Sequence, residues 1–149
     1  MKDNNNFLGD SNLDFVVLGE PKTEKQLFKE FPFEFNGKED FVRFYLAHNG
    51  IFFSDGAEVN EECEVECFYD IGNRLEEMWE ATKKHSPEAN EYAKTHFPFA
   101  SDAAGNEYFI EFPSGCVKYI SWEYGLPDGE SLVAQNFKEF CSMIKTLIY

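Results

Sequence analysis

Apolar residues keep helical spacing in some stretches of the chain and alternate with polar ones in others. Leu27, Phe28 and Phe31 make an apolar face behind Thr23-Glu24-Lys25-Gln26. That tetrapeptide fits a capping box, with Thr23 as N-cap and Gln26 at the third helical position. Pro32 ends this first helix. Phe41, Phe44, Tyr45 and His48 recur at helical spacing over roughly Lys38 to His48. Asn49-Gly50 closes the second helix, because both residues tolerate the left-handed conformation. Ile51-Phe52-Phe53 opens an extended segment. Glu61 to Tyr69 then alternates like a strand, with Cys63, Val65 and Cys67 toward the core and Glu62, Glu64 and Glu66 away from it. Successive carboxylates on such a strand sit ~6.6 Å apart.

Asp70 is the expected N-cap of a third helix, with Ile71, Leu75, Met78 and Trp79 as its stripe. Ser86-Pro87-Glu88 restarts a shorter helix, with Ser86 as N-cap and Pro87 in the first turn, continued by Tyr92, Ala93 and His96. Glu107 to Phe112 and Cys116 to Trp122 read as a hairpin around Pro113-Ser114-Gly115. Gly125 to Gly129 is a second turn. Asn136-Phe137-Lys138-Glu139 caps a last helix with Phe137, Phe140, Cys141, Ile144 and Ile148 on one face. Helices and strands are segregated along the chain. That pattern predicts an α+β domain with a largely antiparallel sheet, not a doubly wound α/β fold.

The 149 residues suit one domain with a real core. Residues 1–20 read as a polar, partly ordered N-terminal tail, and 21–149 as the domain. With 17 Phe among 43% hydrophobic residues, the core is expected to be bulky and ring-packed. No apolar run approaches the ~20 residues of a membrane-spanning helix. Met1 to Asn6 is polar, so no secretory leader is expected. Four cysteines, Cys63, Cys67, Cys116 and Cys141, are too few and too irregular for a disulfide scaffold, and a reducing cytoplasm is the expected compartment.

Charge changes the picture more. Thirteen basic and 28 acidic residues give a net charge of −15. Such a chain repels nucleic acid and anionic membrane, and a basic protein is its natural complement. Solubility alone is the other reading. The acids are also clustered. No Lys or Arg falls between Phe44 and Asn73, a span that holds Asp55, Glu58, Glu61, Glu62, Glu64, Glu66 and Asp70. Between Phe97 and Phe137 the only basic residue is Lys118. If the strands form one sheet, its neighbourhood is acidic and the helical side mixed.

Motifs of catalysis are weak by contrast. Cys63 and Cys67 on a strand lie ~13 Å apart, too far to share a metal ion. His48, His85 and His96 occupy no recognisable motif, although a Cys–His pair distant in sequence has no local signature to look for. Asp102-Ala103-Ala104-Gly105-Asn106 reads as a tight turn in which Asp102 bonds backbone amides and Gly105 and Asn106 take positive φ. No Gly-x-Gly-x-x-Gly, phosphate loop or nucleophile elbow occurs. No cofactor and no metal are expected. Trp122 and Tyr124 flank Glu123 beside the Gly-Leu-Pro-Asp-Gly turn. Trp122 suits core packing as well as an interface, and Tyr124 is the better interface anchor.

Three segments, taken in order, resemble the Smi/Knr-type domain of the SUKH superfamily. They are Thr23 to Phe31 followed by Phe41 to Gly50, then Phe97-Pro98-Phe99-Ala100-Ser101-Asp102 leading to Gly105 through Ile110, then Cys116 to Ile120 with the Asn136-to-Phe140 helix. The resemblance runs from about Thr23 to the C-terminus. The acidic Glu58-to-Glu66 stretch and Phe31-Pro32-Phe33 depart from the family pattern. The resemblance implies one curved sheet flanked by helices and a non-enzymatic role. Its bacterial members look like immunity proteins that bind toxin domains of contact-dependent or polymorphic systems, many of which act on nucleic acid. Its yeast members are regulatory or scaffolding proteins. The expected function is therefore neutralisation of a toxin domain, with no catalytic residues, through partner-binding residues Glu62, Glu64, Glu66, Glu123, Tyr124 and Asp128. A housekeeping interaction module is the alternative. An enzyme would need a convergent polar pocket.

Overall fold

The computed structural model describes residues 8–10 and 12–147. Residues 1–7 and 11 of the tail expected over 1–20, and Ile148 expected on the last helix, lie outside the described residues. The elements are β1 (Phe15–Val17), α1 (Glu24–Glu30), α2 (Lys38–Ala47), β2 (Ile51–Glu58), β3 (Glu64–Phe68), α3 (Arg74–His85), α4 (Pro87–Ala93), β4 (His96–Ser101), β5 (Glu107–Glu111), β6 (Val117–Ile120), β7 (Glu130–Ala134) and α5 (Phe137–Met143). The strands form one seven-stranded sheet in the order β1-β2-β3-β4-β5-β6-β7, antiparallel throughout. The fold is the expected α+β domain with helices packed on an antiparallel sheet.

Local chemistry sets most helix boundaries. Thr23 accepts from the Gln26 amide and Gln26 reaches back to the Thr23 amide, closing the capping box. Ser86 and Asn136 cap α4 and α5 by accepting from the Ala89 and Glu139 amides. Asp70, in contrast, does not cap α3. It is buried, the helix begins at Arg74, and the Glu76 carboxylate instead accepts from the Gly72 amide. His96 belongs to β4 rather than to α4, which ends at Ala93.

One face of the sheet carries a core of stacked and edge-on rings. Phe41 and Phe44 of α2 and Phe137 and Phe140 of α5 meet Phe68 of β3 and Phe97 and Phe99 of β4. Each fully buried ring contributes roughly 2–3 kcal/mol of transfer free energy. The register of β5 turns Tyr108 and Ile110 to this core and Glu107 and Phe109 to the other face. There the α3–α4 pair lies against the sheet, with Tyr92 edge-on to Phe109. Trp79 of α3 also reaches the first core, stacking on Phe31, and its indole donates to the Ala93 carbonyl.

Asn49-Gly50 does more than end α2. Gly50 takes a φ of +81°, but Asn49 does not enter the left-handed region. Its buried side chain donates to the carbonyls of Glu20 and Ile71 and accepts from the Ile71 amide. It thereby ties the segment after β1 to the segment after β3.

Candidate functional site

Antiparallel order puts alternate connections at the same end of a sheet. The β2–β3, β4–β5 and β6–β7 hairpin loops therefore share one end, with the helical connections at the other. In the first loop the Asn60 side-chain oxygen accepts from the amides of Glu62 and Cys63. In the second, Asp102 Oδ1 accepts from the amides of Ala104 and Asn106, and Asp102 Oδ2 accepts from the Tyr119 hydroxyl at 2.7 Å. Gly105 has a φ of +91°; Asn106, expected to share that conformation, does not. Asn106 uses its side chain instead, accepting from the Trp122 amide at 2.9 Å and so fixing the third loop to the second. Tyr108 donates to the Glu64 carbonyl at 2.7 Å, which holds the start of β3.

Loops 59–63, 102–106 and 121–129 contain Glu61, Glu62, Asp102, Glu123 and Asp128 and no Lys or Arg. Glu62, Glu123, Tyr124 and Asp128 are exposed on this end, Tyr124 at 69%. Glu64 is exposed at the first position of β3, directly across from Glu58, a like-charge pairing that weakens the isolated protein. The expected row of three glutamates on one regular strand is not what forms. Glu62 lies in the Asx turn, outside the strand. Val65 and Phe68 are the buried residues of β3, and Glu66 and Cys67 are both half-buried between them. The cause is a register shift against β2 between Phe52 and Ala57, which breaks the alternation.

The same end of the sheet holds a buried acid. Glu107 is 4% exposed. Its Oε2 accepts from the Tyr69 hydroxyl at 2.7 Å and its Oε1 from the Trp122 indole at 2.9 Å. Burial pushes its carboxyl above the ordinary range, against the pull of those two donors. A cavity of about 230 Å³ opens beside it, between Met78, Ala81 and His85 of α3 and the Gly105 and Trp122 loops. The His85 ring lies 4.7 Å from that of Trp122. Glu107 carries little signal in the sequence beyond an acid at the head of the apolar run Tyr108-Phe109-Ile110.

Further along the same face, His96, Glu111, Lys118 and Glu130 cluster. Lys118 Nζ lies 3.3 Å from Glu111 and 3.6 Å from Glu130, and His96 Nε2 lies 3.4 Å from Glu111. Burial holds His96 below its ordinary value, outweighing the upward pull of its hydrogen bond with the Tyr92 carbonyl and of Glu111. The Cys63 and Cys67 thiols are pushed up by burial, the opposite of what an activated nucleophile needs. Among the described residues no group of His, Cys, Asp or Glu is placed to hold a metal ion, and no helix is long and apolar enough to cross a membrane.

This end brings together exposed carboxylates, an exposed tyrosine and a desolvated glutamate beside a tryptophan. Compared with known families, the chain matches the model of the SMI1 / KNR4 family (SUKH-1) over residues 25–143, from α1 to the last residue of α5. No curated protein matches it.

Proposed function

The chain belongs to the SMI1 / KNR4 family (SUKH-1), whose domain is an immunity-protein-like fold, and on that premise we propose that it is a non-enzymatic immunity protein of the cytoplasm. It binds a cognate toxin domain and blocks that domain's active site. The observation that carries this reading is the sharing of one sheet end by three hairpin loops with acids and no Lys or Arg. A toxin that acts on nucleic acid has a basic surface of its own, and a field of this sign speeds its encounter and fixes its orientation. Glu62, Glu64, Glu123, Tyr124 and Asp128 form the contact, with Glu66 contributing from its half-buried position.

The test is a pull-down with the tagged chain from its native cells at low and high salt, with captured proteins identified by mass spectrometry. Capture of a toxin domain that weakens with salt is the expected result. The triple variant Glu62→Lys, Glu64→Lys, Asp128→Lys should then slow association about tenfold or more at low salt. Unchanged association and unchanged salt dependence would remove these residues from the interface. Capture of only a metabolic or structural protein, with the toxin demonstrably expressed, would replace immunity by a housekeeping interaction.

A further inference from the structure

We propose that the cavity between α3 and the β4–β5 and β6–β7 loops is a receptor pocket for a single cationic side chain, arginine or lysine, of the protein partner. This rests on the reading that a basic protein is bound, and it names the anchor of that contact.

Size decides the class of occupant first. Pockets for whole small molecules enclose roughly 300–1,000 Å³. This one, at about 230 Å³, is smaller and suits one long side chain. The lining decides the chemistry. Met78, Ala81 and the face of Trp122 are apolar, Thr82 and His85 add polar atoms from α3, and Glu107 contributes a carboxylate among them. An open, largely apolar wall with a buried acid complements an aliphatic stem with a cationic head. Each carboxylate oxygen of Glu107 already accepts one hydrogen bond, from Tyr69 and from Trp122, and each retains capacity for a second. The donors also fix the carboxylate in place before any partner arrives. Trp122, whose backbone amide donates to Asn106 Oδ1, offers a π face to a guanidinium.

The mouth is open. A Cβ built on Gly105 would meet nothing within 4 Å. Glu123 and Tyr124 follow Trp122 on the exposed loop. The basic groups nearest Glu107 are His85, which lines the cavity, and Arg74; Arg74 is paired with Glu77 at 3.5 Å, and neither forms an ion pair with Glu107 among the described residues. The carboxylate therefore sits desolvated without a counter-charge, and an incoming arginine supplies one. Buried anchors of this kind, framed by aromatic rings, dominate protein interfaces.

The experiment titrates the isotope-labelled full chain with Nα-acetyl-arginine amide and, separately, with its neutral citrulline counterpart. The expected result is a saturable shift of the Trp122 indole N–H and the Gly105 amide in the millimolar range with the arginine compound only. Glu107→Gln should weaken that binding about tenfold. Ala81→Phe, at an exposed position of α3, should abolish it by filling the mouth while the far-UV circular dichroism stays unchanged. No saturable shift, an equal shift with citrulline, or undiminished binding by E107Q would overturn the pocket. The titration needs no toxin, so a failed pull-down overturns the immunity reading alone, and a failed titration overturns the pocket alone.

Discussion

The two faces of the sheet are buried in different ways. On the first, Phe68, Phe97, Phe99, Tyr108 and Ile110 meet the phenylalanines of α2 and α5, and the phenol hydroxyls of Tyr45 and Tyr108 each reach a backbone carbonyl. On the second, under α3 and α4, Phe109 and Ile120 share their layer with Glu107, His96, Glu111, Lys118 and Glu130. The first face supplies stability by removing apolar area from water. The second gives up part of that gain, because every buried ionisable group must be paired or lose its charge. The cost is concentrated on the second face; on the first, the buried ammonium of Lys38 in α2 donates to the Phe31 and Phe33 carbonyls.

The largest effect expected from that division follows from Phe137. Its ring touches those of Phe41, Phe44, Phe68 and Phe99, joining two helices to two strands. Phe137→Ala should cost about 3–5 kcal/mol by lost burial and an unfilled cavity. Urea denaturation measures it. A loss below about 1 kcal/mol would mean the ring layer is not the main source of stability.

A smaller effect is expected from the second face. Trp122→Phe keeps an aromatic ring but removes the indole donor from Glu107 Oε1. A buried carboxylate oxygen is then left unsatisfied, at a cost of about 1–3 kcal/mol. The same variant should push the Glu107 carboxyl further up, which pH titration by NMR would read. If stability and titration both stay put, the indole is packing there and nothing more.

How legible these faces are in the sequence depends on how each is buried. The caps at Thr23, Ser86 and Asn136 are local, because their partners lie three residues away, and the helices they open are recognisable. The β5–β6 hairpin shows through its turn residues. Strand β4 gives no alternation because all of its residues are buried, and Pro98 and the register shift before Ala100 further disguise it. Strands β1 and β7 are edge strands with exposed apolar residues such as Val16 and Leu132, which carry no periodic signal. The acidic loops are legible as composition. Their sharing of one end is not, since it follows from a strand order that no local pattern states. Glu107 is less legible still. Its donors, Tyr69 and Trp122, lie 38 and 15 residues away, and only the fold brings them together.

The smallest expected effect is a slope, and it sharpens the contrast between the faces because only the second carries the groups that produce it. Burial raises the Glu107 carboxyl above its ordinary value of 4.5. Below that value both folded and unfolded chains hold the proton, and burial costs nothing. As pH rises from there toward the raised folded value, the unfolded chain releases its proton while the native protein keeps it, so stability falls across that window and stays lower above it. His96 acts in the opposite direction. Burial lowers its imidazole below the ordinary value of 6.5. As pH falls from 6.5 toward the lower folded value, the unfolded chain gains a proton that the native protein refuses, and stability falls. In E107Q, Gln can accept from Trp122 through its oxygen and donate to the Tyr69 oxygen through its amide, so the network survives without the charge. Denaturation of wild type and E107Q across this range should show the variant gaining relative stability as pH rises above the ordinary carboxyl range, with no such divergence for a charge-removing variant at exposed Glu123. Parallel curves for E107Q and wild type would mean that Glu107 is as well solvated in the native protein as in the unfolded chain, and the second face would then be no different in kind from the loops that border it.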